Sequence, residues 1–184
     1  SDAGGRLADE RRLPGLSEWG RVVDYRTYQI SQMANVHLYL ESELTAETAT
    51  EFGADRIVLA TGSRWTADGI GRTNPRGIAI DEGATVLTPN DIMDGTEPTG
   101  PVVIFDDDNF YMGGLMAEKL RADGHEVTFV TAAPEVAGWS HNTLEQHVVQ
   151  RRLLEAGVTL ILTHNLTALR AGEAELACVY TGTP

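Results

Sequence analysis

Cysteine is almost absent from this sequence of 184 residues, in which Cys178 is the single one. One thiol permits no internal disulfide, and it cannot by itself hold an iron–sulfur cluster, whose ligands are normally a set of thiolates. A free cysteine usually behaves as a small buried hydrophobe. The Ala-Cys-Val-Tyr stretch around Cys178 therefore predicts a thiol buried in a strand.

Basic residues are scarce as well. The 14 Lys and Arg face 27 Asp and Glu, which gives a formal net charge of −13. This excess repels a phosphate backbone and no basic stripe interrupts it, which excludes nucleic acid as a partner. No apolar run approaches the ~20 residues that span a bilayer, and no signal-like leader opens the chain. The sequence therefore predicts a cytoplasmic protein with no membrane partner.

Patterns for metal binding and for nucleophilic catalysis are also missing. The histidines lie in different predicted elements, and His141 and His147 are six residues apart, which places them on different helix faces. Ser140 precedes His141 without the strained turn that exposes a nucleophile. We predict neither a catalytic residue nor a metal site within these residues.

Glycine and proline cluster in the middle of the chain and divide it into two halves. We expect the boundary between Gly95 and Gly100, with one domain over residues 1–97 and another over residues 98–184. In the first half the sequence predicts a strand over 36–40, a helix from Thr45 to Phe52, a strand buried on both faces over 55–60, and a short helix between Thr88 and Gly95.

The second half alternates strand and helix patterns, which favours a parallel sheet. The predicted strands cover 102–105, 126–130 and 158–162, and the predicted helices cover 112–122 and 143–156. The second helix is expected to turn Leu144, Val148 and the pair Leu153 and Leu154 towards the core. Two later strands, 166–170 and 174–180, are expected to pair antiparallel.

The turn after the strand at 102–105 is unsuited to a dinucleotide. Such a site needs a glycine-rich turn whose amides touch the pyrophosphate, whereas this turn begins with Asp106, Asp107 and Asp108 and continues with the bulky Phe110 and Tyr111. Carboxylates would oppose phosphate groups there, so we expect no NAD(P)H binding. A solvated acidic loop is the alternative interpretation, and it excludes pyrophosphate equally.

Residues 55–63 read as an apolar strand that breaks into a Thr61-Gly62 turn. An apolar strand that ends in Ala-Thr-Gly brings bare backbone close to a nucleotide in flavoproteins with two dinucleotide-binding domains. An ordinary turn at the end of a strand is the alternative.

Four further segments accompany this one: Gly4–Leu7, Leu13–Leu16, Glu18–Gly20 and Asp24–Arg26. Together they resemble the C-terminal portion of the trimethylamine, dimethylamine and histamine dehydrogenases, within the NADH:flavin oxidoreductase and 2,4-dienoyl-CoA reductase family. The resemblance implies an α/β fold with a glutathione-reductase-like arrangement of two dinucleotide domains. A partial FAD-domain-like half, without its first βαβ unit, would precede a degenerate and truncated NAD(P)-binding Rossmann-like half.

The resemblance also implies an incomplete site for ADP or an FAD-like nucleotide. Its candidate residues in this sequence are Gly4, Gly5, Arg6, Leu7, Thr61, Gly62, Ser63 and Trp65. Arg6 would lie near a phosphate and Trp65 beside the site, by analogy with the family. For the two glycines a flexible terminus is the alternative.

The implied function is that of a fragment of a larger flavin-dependent oxidoreductase acting on CH-NH donors. Its FMN barrel and 4Fe-4S cluster would lie elsewhere in the polypeptide, and the isolated chain would be inactive. Electrons would pass to an electron-transfer flavoprotein or a similar carrier, and a homodimer is expected by family analogy. The alternatives are a fragment of an NAD(P)H-dependent enoate or 2,4-dienoyl-CoA reductase and a non-catalytic docking or structural module. The acidic turn at Asp106 favours the amine dehydrogenases, because they need no nicotinamide site.

Overall fold

The chain divides into two units, Ser1–Arg64 and Trp65–Pro184, in the computed structural model, which describes residues 3–184. This division lies upstream of the boundary expected between Gly95 and Gly100. The assignment of 1–97 and 98–184 to two dinucleotide-type domains stays a prediction.

Among its described residues, the first unit contains three helices and a short 3₁₀ helix. They are α1 (Arg6–Glu10), the 3₁₀ helix (Ser17–Trp19), α2 (Gly20–Ser31) and α3 (Ala46–Glu51). The helix predicted to begin at Thr45 is confirmed, because the Thr45 side chain accepts the N–H of Thr48 and caps α3. Helix α2 was not predicted, since its β-branched Val22, Val23 and Thr27 favour a helix only weakly. In the structure α2 packs against α1, and this tertiary contact supports the helix.

The strands predicted over 36–40 and 55–60 are wrong for this structure. Both stretches are exposed and non-helical, and neither joins a sheet within residues 3–184. A strand satisfies its backbone groups through a neighbour, so an apolar pattern without a neighbour cannot become a strand.

The second unit is built on a parallel sheet in the order β2–β3–β4. Its strands are β2 (Val102–Asp106), β3 (Val127–Thr131) and β4 (Thr159–Ile161), and its helices are α5 (Met112–Ala122) and α6 (Gln146–Glu155). Val102 pairs with Val127 and Thr128 with Thr159. Helix α5 packs on β2, on β3 and against α6. The predicted parallel α/β core is confirmed.

The core of this sheet centres on β3, in which Val127, Phe129 and Val130 are fully buried. Helix α6 contributes Leu153, which is also fully buried. The prediction that Leu144 and Leu154 face the core is wrong, because both are exposed. Leu144 lies before the start of α6, in a left-handed turn at φ 61°.

A smaller sheet completes the second unit. Its strands are β1 (Ala79–Ile80), β5 (His164–Arg170) and β6 (Glu173–Cys178), in the order β1–β5–β6. β5 and β6 pair antiparallel, as predicted, while the two-residue β1 runs parallel to β5. The short helix α4 (Pro89–Met93) begins at the predicted Thr88 cap. Cys178 is half-buried at the end of β6, not fully buried as predicted.

Candidate functional site: the carboxyl end of the parallel sheet

Strands β2 and β3 end side by side at Asp106 and Thr131, which are register partners. In open α/β sheets, ligands bind in the crevice outside the carboxyl ends of the strands. Helix α5 follows β2, so its first residues are the amides that would meet a phosphate. This edge is the candidate site of the second unit.

The buried Asp106 carboxyl packs against the first turn of helix α5. Its side chain is only 4% exposed, and its Oδ1 accepts the backbone N–H of Asn109 at 3.3 Å. A Cβ atom on Gly113 would lie 2.9 Å from the Asp106 Cγ, so a glycine is required where the carboxyl packs against the helix. Gly113 thus lets the Asp106 carboxyl pack directly against the first turn of α5.

The Asp106 carboxyl is poorly compensated. Its Oδ2 is buried and has no hydrogen-bond partner among the described residues. Burial, with a smaller contribution from the neighbouring charges of Asp108 and Asp107, raises the pKa of Asp106 to about 7, although the Asn109 N–H opposes the shift. The Asp106 carboxyl is therefore about half protonated near neutral pH, and it repels anions when it is ionised.

A loop over residues 71–74 lies on the same edge. The backbone N–H of Thr73 donates to Asp107 Oδ2 at 3.1 Å, and the Thr73 hydroxyl donates to Asp107 Oδ1 at 2.8 Å. The Arg72 guanidinium lies over the Trp139 ring at 5.8 Å, a distance at which a cation and an aromatic face attract. The Trp139 backbone N–H in turn donates to the carbonyl of Asn109 at 3.0 Å.

Asn74 fixes this loop to the smaller sheet. Its amide donates to Asn165 Oδ1 at 3.0 Å and receives the Asn165 amide at 2.8 Å, and it also donates to the carbonyl of Leu166 at 3.0 Å. The loop is therefore bonded to the end of β2 on one side and to β5 on the other. The Asp107 carboxylate at this edge is therefore bonded to Thr73, whereas Oδ2 of Asp106 is left without a partner among the described residues.

The sequence did not single out Arg72, Thr73, Asn74 or Trp139. The glycines and the proline of residues 69–77 mark a turn but say nothing about what that turn contacts. Thr73 and Asp107 are 34 positions apart, and Asn74 and Asn165 are 91 apart. Pairings at such separations leave no local signal in a single sequence.

The predicted nucleotide residues at the amino end lie at the start of α1. The Gly4 and Gly5 carbonyls accept the N–H groups of Leu7 and Ala8, at 3.2 and 3.0 Å. A Cβ on Gly4 would lie 2.8 Å from a Val23 methyl group, so the glycine permits close packing on α2. Arg6 Nε pairs at 2.6 Å with Oε1 of the buried Glu10.

Thr61, Gly62 and Ser63 are exposed, and Gly62 has φ 74°, which suits glycine in a turn. Trp65 belongs to the second unit. Its backbone N–H donates to Asn90 Oδ1 at 3.0 Å, while its buried indole Nε1 has no partner among the described residues. For all eight predicted residues, contact with a nucleotide stays a prediction.

The surroundings of the Cys178 thiol differ from the buried apolar environment that the sequence predicts. A hydrogen bond from the Thr181 side chain, and further ones from the backbone N–H groups of Tyr180 and Thr181, lower the pKa of Cys178 to about 7. His164, which is the register partner of Cys178 on β5, lowers the pKa of the thiol slightly further through its charge.

Known proteins match this architecture. The family profile described as the OYE-like second alpha/beta domain matches residues 87–183, slightly more than half of the chain. The chain belongs to this family. The matched residues include the whole parallel sheet and both strands of the antiparallel pair.

Three individual proteins are similar over nearly the whole chain. Histamine dehydrogenase from Rhizobium sp. 4-9 is 49% identical, with a TM-score of 0.94 over 100% of this chain and 29% of its own. The 6-hydroxypseudooxynicotine amine oxidase from Pseudomonas geniculata N1 is 39% identical, with a TM-score of 0.90 over 99% of this chain and 27% of its own. Dimethylamine dehydrogenase from Hyphomicrobium sp. (strain x) is 29% identical over 181 residues, 94% of this chain and 24% of its own.

These relatives confirm the resemblance predicted from residues 4–26 and 55–63. They are oxidoreductases named for amines, and this OYE-like chain spans about a quarter of their length. A structure of 2-naphthoyl-CoA reductase, 19% identical with a TM-score of 0.73, shares the fold. Within residues 3–184, no helix is long and apolar enough to cross a membrane.

Proposed function

We propose that this chain is an α/β part of a larger flavin-dependent amine dehydrogenase and carries none of its redox centres. The observation behind the proposal is the 49% identity to histamine dehydrogenase along the whole chain. The single Cys178 does not fit a 4Fe-4S cluster, which needs a set of thiolates. FMN and the cluster would therefore belong to other parts of the polypeptide, and these residues perform no redox step.

The acidic residues at the carboxyl end of the parallel sheet favour the amine dehydrogenase interpretation over that of an NAD(P)H-dependent reductase. A nicotinamide dinucleotide would need donors at the start of α5, where Asp106 places a carboxyl and where the loop 71–74 bonds to Asp107. An enzyme that oxidises an amine directly and passes its electrons to a carrier needs no such site. An electron-transfer flavoprotein is the proposed carrier, a homodimer the proposed assembly, and the cytoplasm the proposed location.

The proposal includes an ADP or FAD-like nucleotide in the first half, at Gly4, Gly5, Arg6, Leu7, Thr61, Gly62, Ser63 and Trp65. The unpartnered indole N–H of Trp65 is a donor that fits an acceptor on such a ligand. Arg6 is held by Glu10, so a phosphate would have to compete with or share that ion pair. Equilibrium dialysis of ADP against the full-length gene product tests this part, and Arg6→Ala should weaken binding.

The full-length gene product provides the decisive experiment for the enzyme. Mixed anaerobically with histamine, dimethylamine or trimethylamine, it should lose its oxidised-flavin absorbance with at least one of them. A product that contains no flavin, or whose flavin none of a broad set of amines reduces, would contradict the proposal. Calorimetric titration with NADH and NADPH separates the reductase alternative, because submillimolar binding would favour it.

A further inference from the structure

The acidic turn, residues 106–109, is bonded to several elements of the second unit. Asp106 is the last residue of β2, and its Oδ1 accepts the backbone N–H of Asn109 at 3.3 Å. Asn109 has a left-handed backbone at φ 57°, which asparagine tolerates better than most residues. Its side-chain Oδ1 accepts the hydroxyl of Thr131, the last residue of β3, at 3.2 Å, and its backbone carbonyl accepts the N–H of Trp139 at 3.0 Å. The turn therefore joins the ends of β2 and β3 to the segment that carries Trp139.

The same turn holds the loop 71–74 through Asp107. The backbone N–H and the hydroxyl of Thr73 both donate to the Asp107 carboxylate, at 3.1 and 2.8 Å. Asn74, the next residue of the loop, bonds β5 instead. A rearrangement of the acidic turn therefore reaches this loop and the 3₁₀ helix Gly138–Thr143, although both lie far from it in the sequence.

The Asp106 carboxyl lies where an ionised group is poorly accommodated. Asp106 is only 4% exposed, and its buried Oδ2 has no hydrogen-bond partner among the described residues. Gly113 packs against the same carboxyl, so α5 closes off that side. Removal of a carboxylate from water without full hydrogen bonding is costly, whereas the protonated carboxyl avoids most of that cost. The closed turn therefore favours the protonated form of Asp106.

The ionisable groups around the turn do not offset this cost. On the elements that contact the turn they are Asp107 and Asp108 on the turn itself, Arg72 on the loop 71–74, Glu135 and His141 at the 3₁₀ helix, and Glu118, Lys119 and Arg121 on α5. Burial above all, and then the charges of Asp108 and Asp107, raise the pKa of Asp106 to about 7, although N–H groups of the turn oppose the shift. Arg72 lies over the Trp139 ring, and His141 pairs with Glu135 at 2.7 Å. The charges that act on Asp106 are thus negative.

We propose that the acidic turn is a pH-sensitive switch, which holds the loop 71–74 and the 3₁₀ helix Gly138–Thr143 while Asp106 is protonated and releases them when Asp106 ionises. Water solvates the carboxylate in the open form, so opening releases the proton. Opening therefore becomes more favourable by about tenfold per pH unit between the ordinary pKa of Asp106, 3.8, and its pKa of about 7 in the closed turn, and it levels off above that value. The switch lies within the second unit and involves no redox centre or nucleotide, so it does not depend on the proposed function.

Amide hydrogen exchange in the full-length gene product measures the opening. The N–H groups of Thr73, Asn109 and Trp139 all donate to the acidic turn, so each exchanges when the turn opens. After correction for the intrinsic effect of pH on exchange, their protection should fall by about a hundredfold from pH 5 to pH 8, mostly below pH 7. Amides of α6 should keep their protection within about threefold over the same range.

Two results of this measurement would overturn the proposal. The first is protection of the three amides that does not change with pH. The second is an equal fall in α6, because the whole unit would then unfold and the turn would not open by itself.

Asp106→Asn separates the ionisation of this carboxyl from other effects of pH. Asn has the shape of the protonated carboxyl and does not ionise, so the protection at Thr73, Asn109 and Trp139 should change by less than about threefold between pH 5 and pH 8. A fall of about a hundredfold that persists in this variant would contradict the role of Asp106.

Asp108→Asn is the matched variant, because it changes a neighbouring carboxylate of the same turn and keeps Asp106. It removes one of the two negative charges that raise the pKa of Asp106. The protection should therefore still fall with pH, but it should level off at a lower pH than in the parent. This variant also keeps the test decisive if Asp106→Asn does not fold. Levelling off at the pH of the parent, or at a higher one, would overturn the proposal.

Discussion

The two units of the chain place similar apolar segments in opposite environments. In the second unit, Val127, Phe129 and Val130 of β3 are fully buried between two neighbouring strands. In the first unit, Val58 and Leu59 are almost fully exposed, although residues 56–60 are also rich in apolar side chains. The difference is the presence of neighbours, because β3 pairs on both edges while 56–60 pairs with no described residue.

The two units also differ in how they use polar groups. In the second unit, hydrogen bonds between residues far apart in the sequence hold the loops, namely Thr73 with Asp107 and Asn74 with Asn165. In the first unit, the described side-chain bonds join residues closer in sequence, such as Arg11 with Asp24 and Thr45 with Thr48. Four predictions, in order of expected effect, test this contrast in the 184-residue chain.

The largest difference is expected between two truncations of apolar side chains. Phe129→Ala should lower the free energy of unfolding of the second unit by about 3–5 kcal/mol, because it leaves a cavity in a filled core. Leu59→Ala should change the stability of the chain by less than about 0.5 kcal/mol, because its side chain is already in water. Urea unfolding followed by circular dichroism measures both. Comparable losses would show that 56–60 is packed after all.

Asp106→Asn should alter the pH dependence of stability. The folded-state pKa of Asp106, about 7, lies above its ordinary value of 3.8, so the native state binds more protons between these values. Stability from this group is present below pH 4 and is lost as the pH rises towards 7. Asn mimics the protonated carboxyl, so the variant should be more stable than the parent at pH 8, by up to about 4 kcal/mol, with little difference at pH 4.

Thermal unfolding of Asp106→Asn at pH 4, 6 and 8 measures this effect. Asp123→Asn is a suitable control, because Asp123 is exposed and pairs with Lys119 at 2.8 Å on the surface. Its removal should change stability by less than about 1 kcal/mol at each pH. A parent chain whose stability does not fall between pH 4 and pH 8 relative to Asp106→Asn would contradict the assigned burial.

Asn74→Ala should weaken the attachment of the loop 71–74. The Asn74 and Asn165 amides bond each other reciprocally in a partly buried position, so removal of one leaves the other unsatisfied. The expected cost is about 1–2 kcal/mol. A double-mutant cycle with Asn165→Ala measures the coupling, which should be clearly non-zero. Additive effects would mean that the two amides do not interact.

The smallest effect concerns the Cys178 thiol. Its alkylation by iodoacetamide should reach half of its maximal rate near pH 7, because hydrogen bonds from Thr181 and Tyr180 stabilise the thiolate. Thr181→Val removes the largest of these contributions and should move the midpoint to higher pH. Mass spectrometry of the alkylated peptide measures the rate. A midpoint that Thr181→Val leaves unchanged would contradict the assigned cause.

Much of the second unit was predictable because its signals are local. Helix α5 has the predicted bounds, Met112–Ala122. Its apolar residues recur at helical spacing, and Gly124 follows its last turn as a stop signal. The Thr88 cap, and in the first unit the Thr45 cap, likewise mark helix starts without reference to distant residues. The acidic turn at Asp106 was recognisable as unsuited to phosphate, although its carboxyl packing against Gly113 was not.

The sequence by itself determined the order of strands and helices in residues 102–178, the caps, and the resemblance to amine dehydrogenases. These depend on periodicity and on residue types at short spacing, which a single chain displays directly. Only the tertiary structure decided that Leu144 is exposed, that the loop 71–74 bonds to Asp107 and Asn165, and that 36–40 and 55–60 form no strand. Each of these outcomes depends on which distant groups lie nearby, because a backbone or side chain adopts its place only when a partner satisfies it.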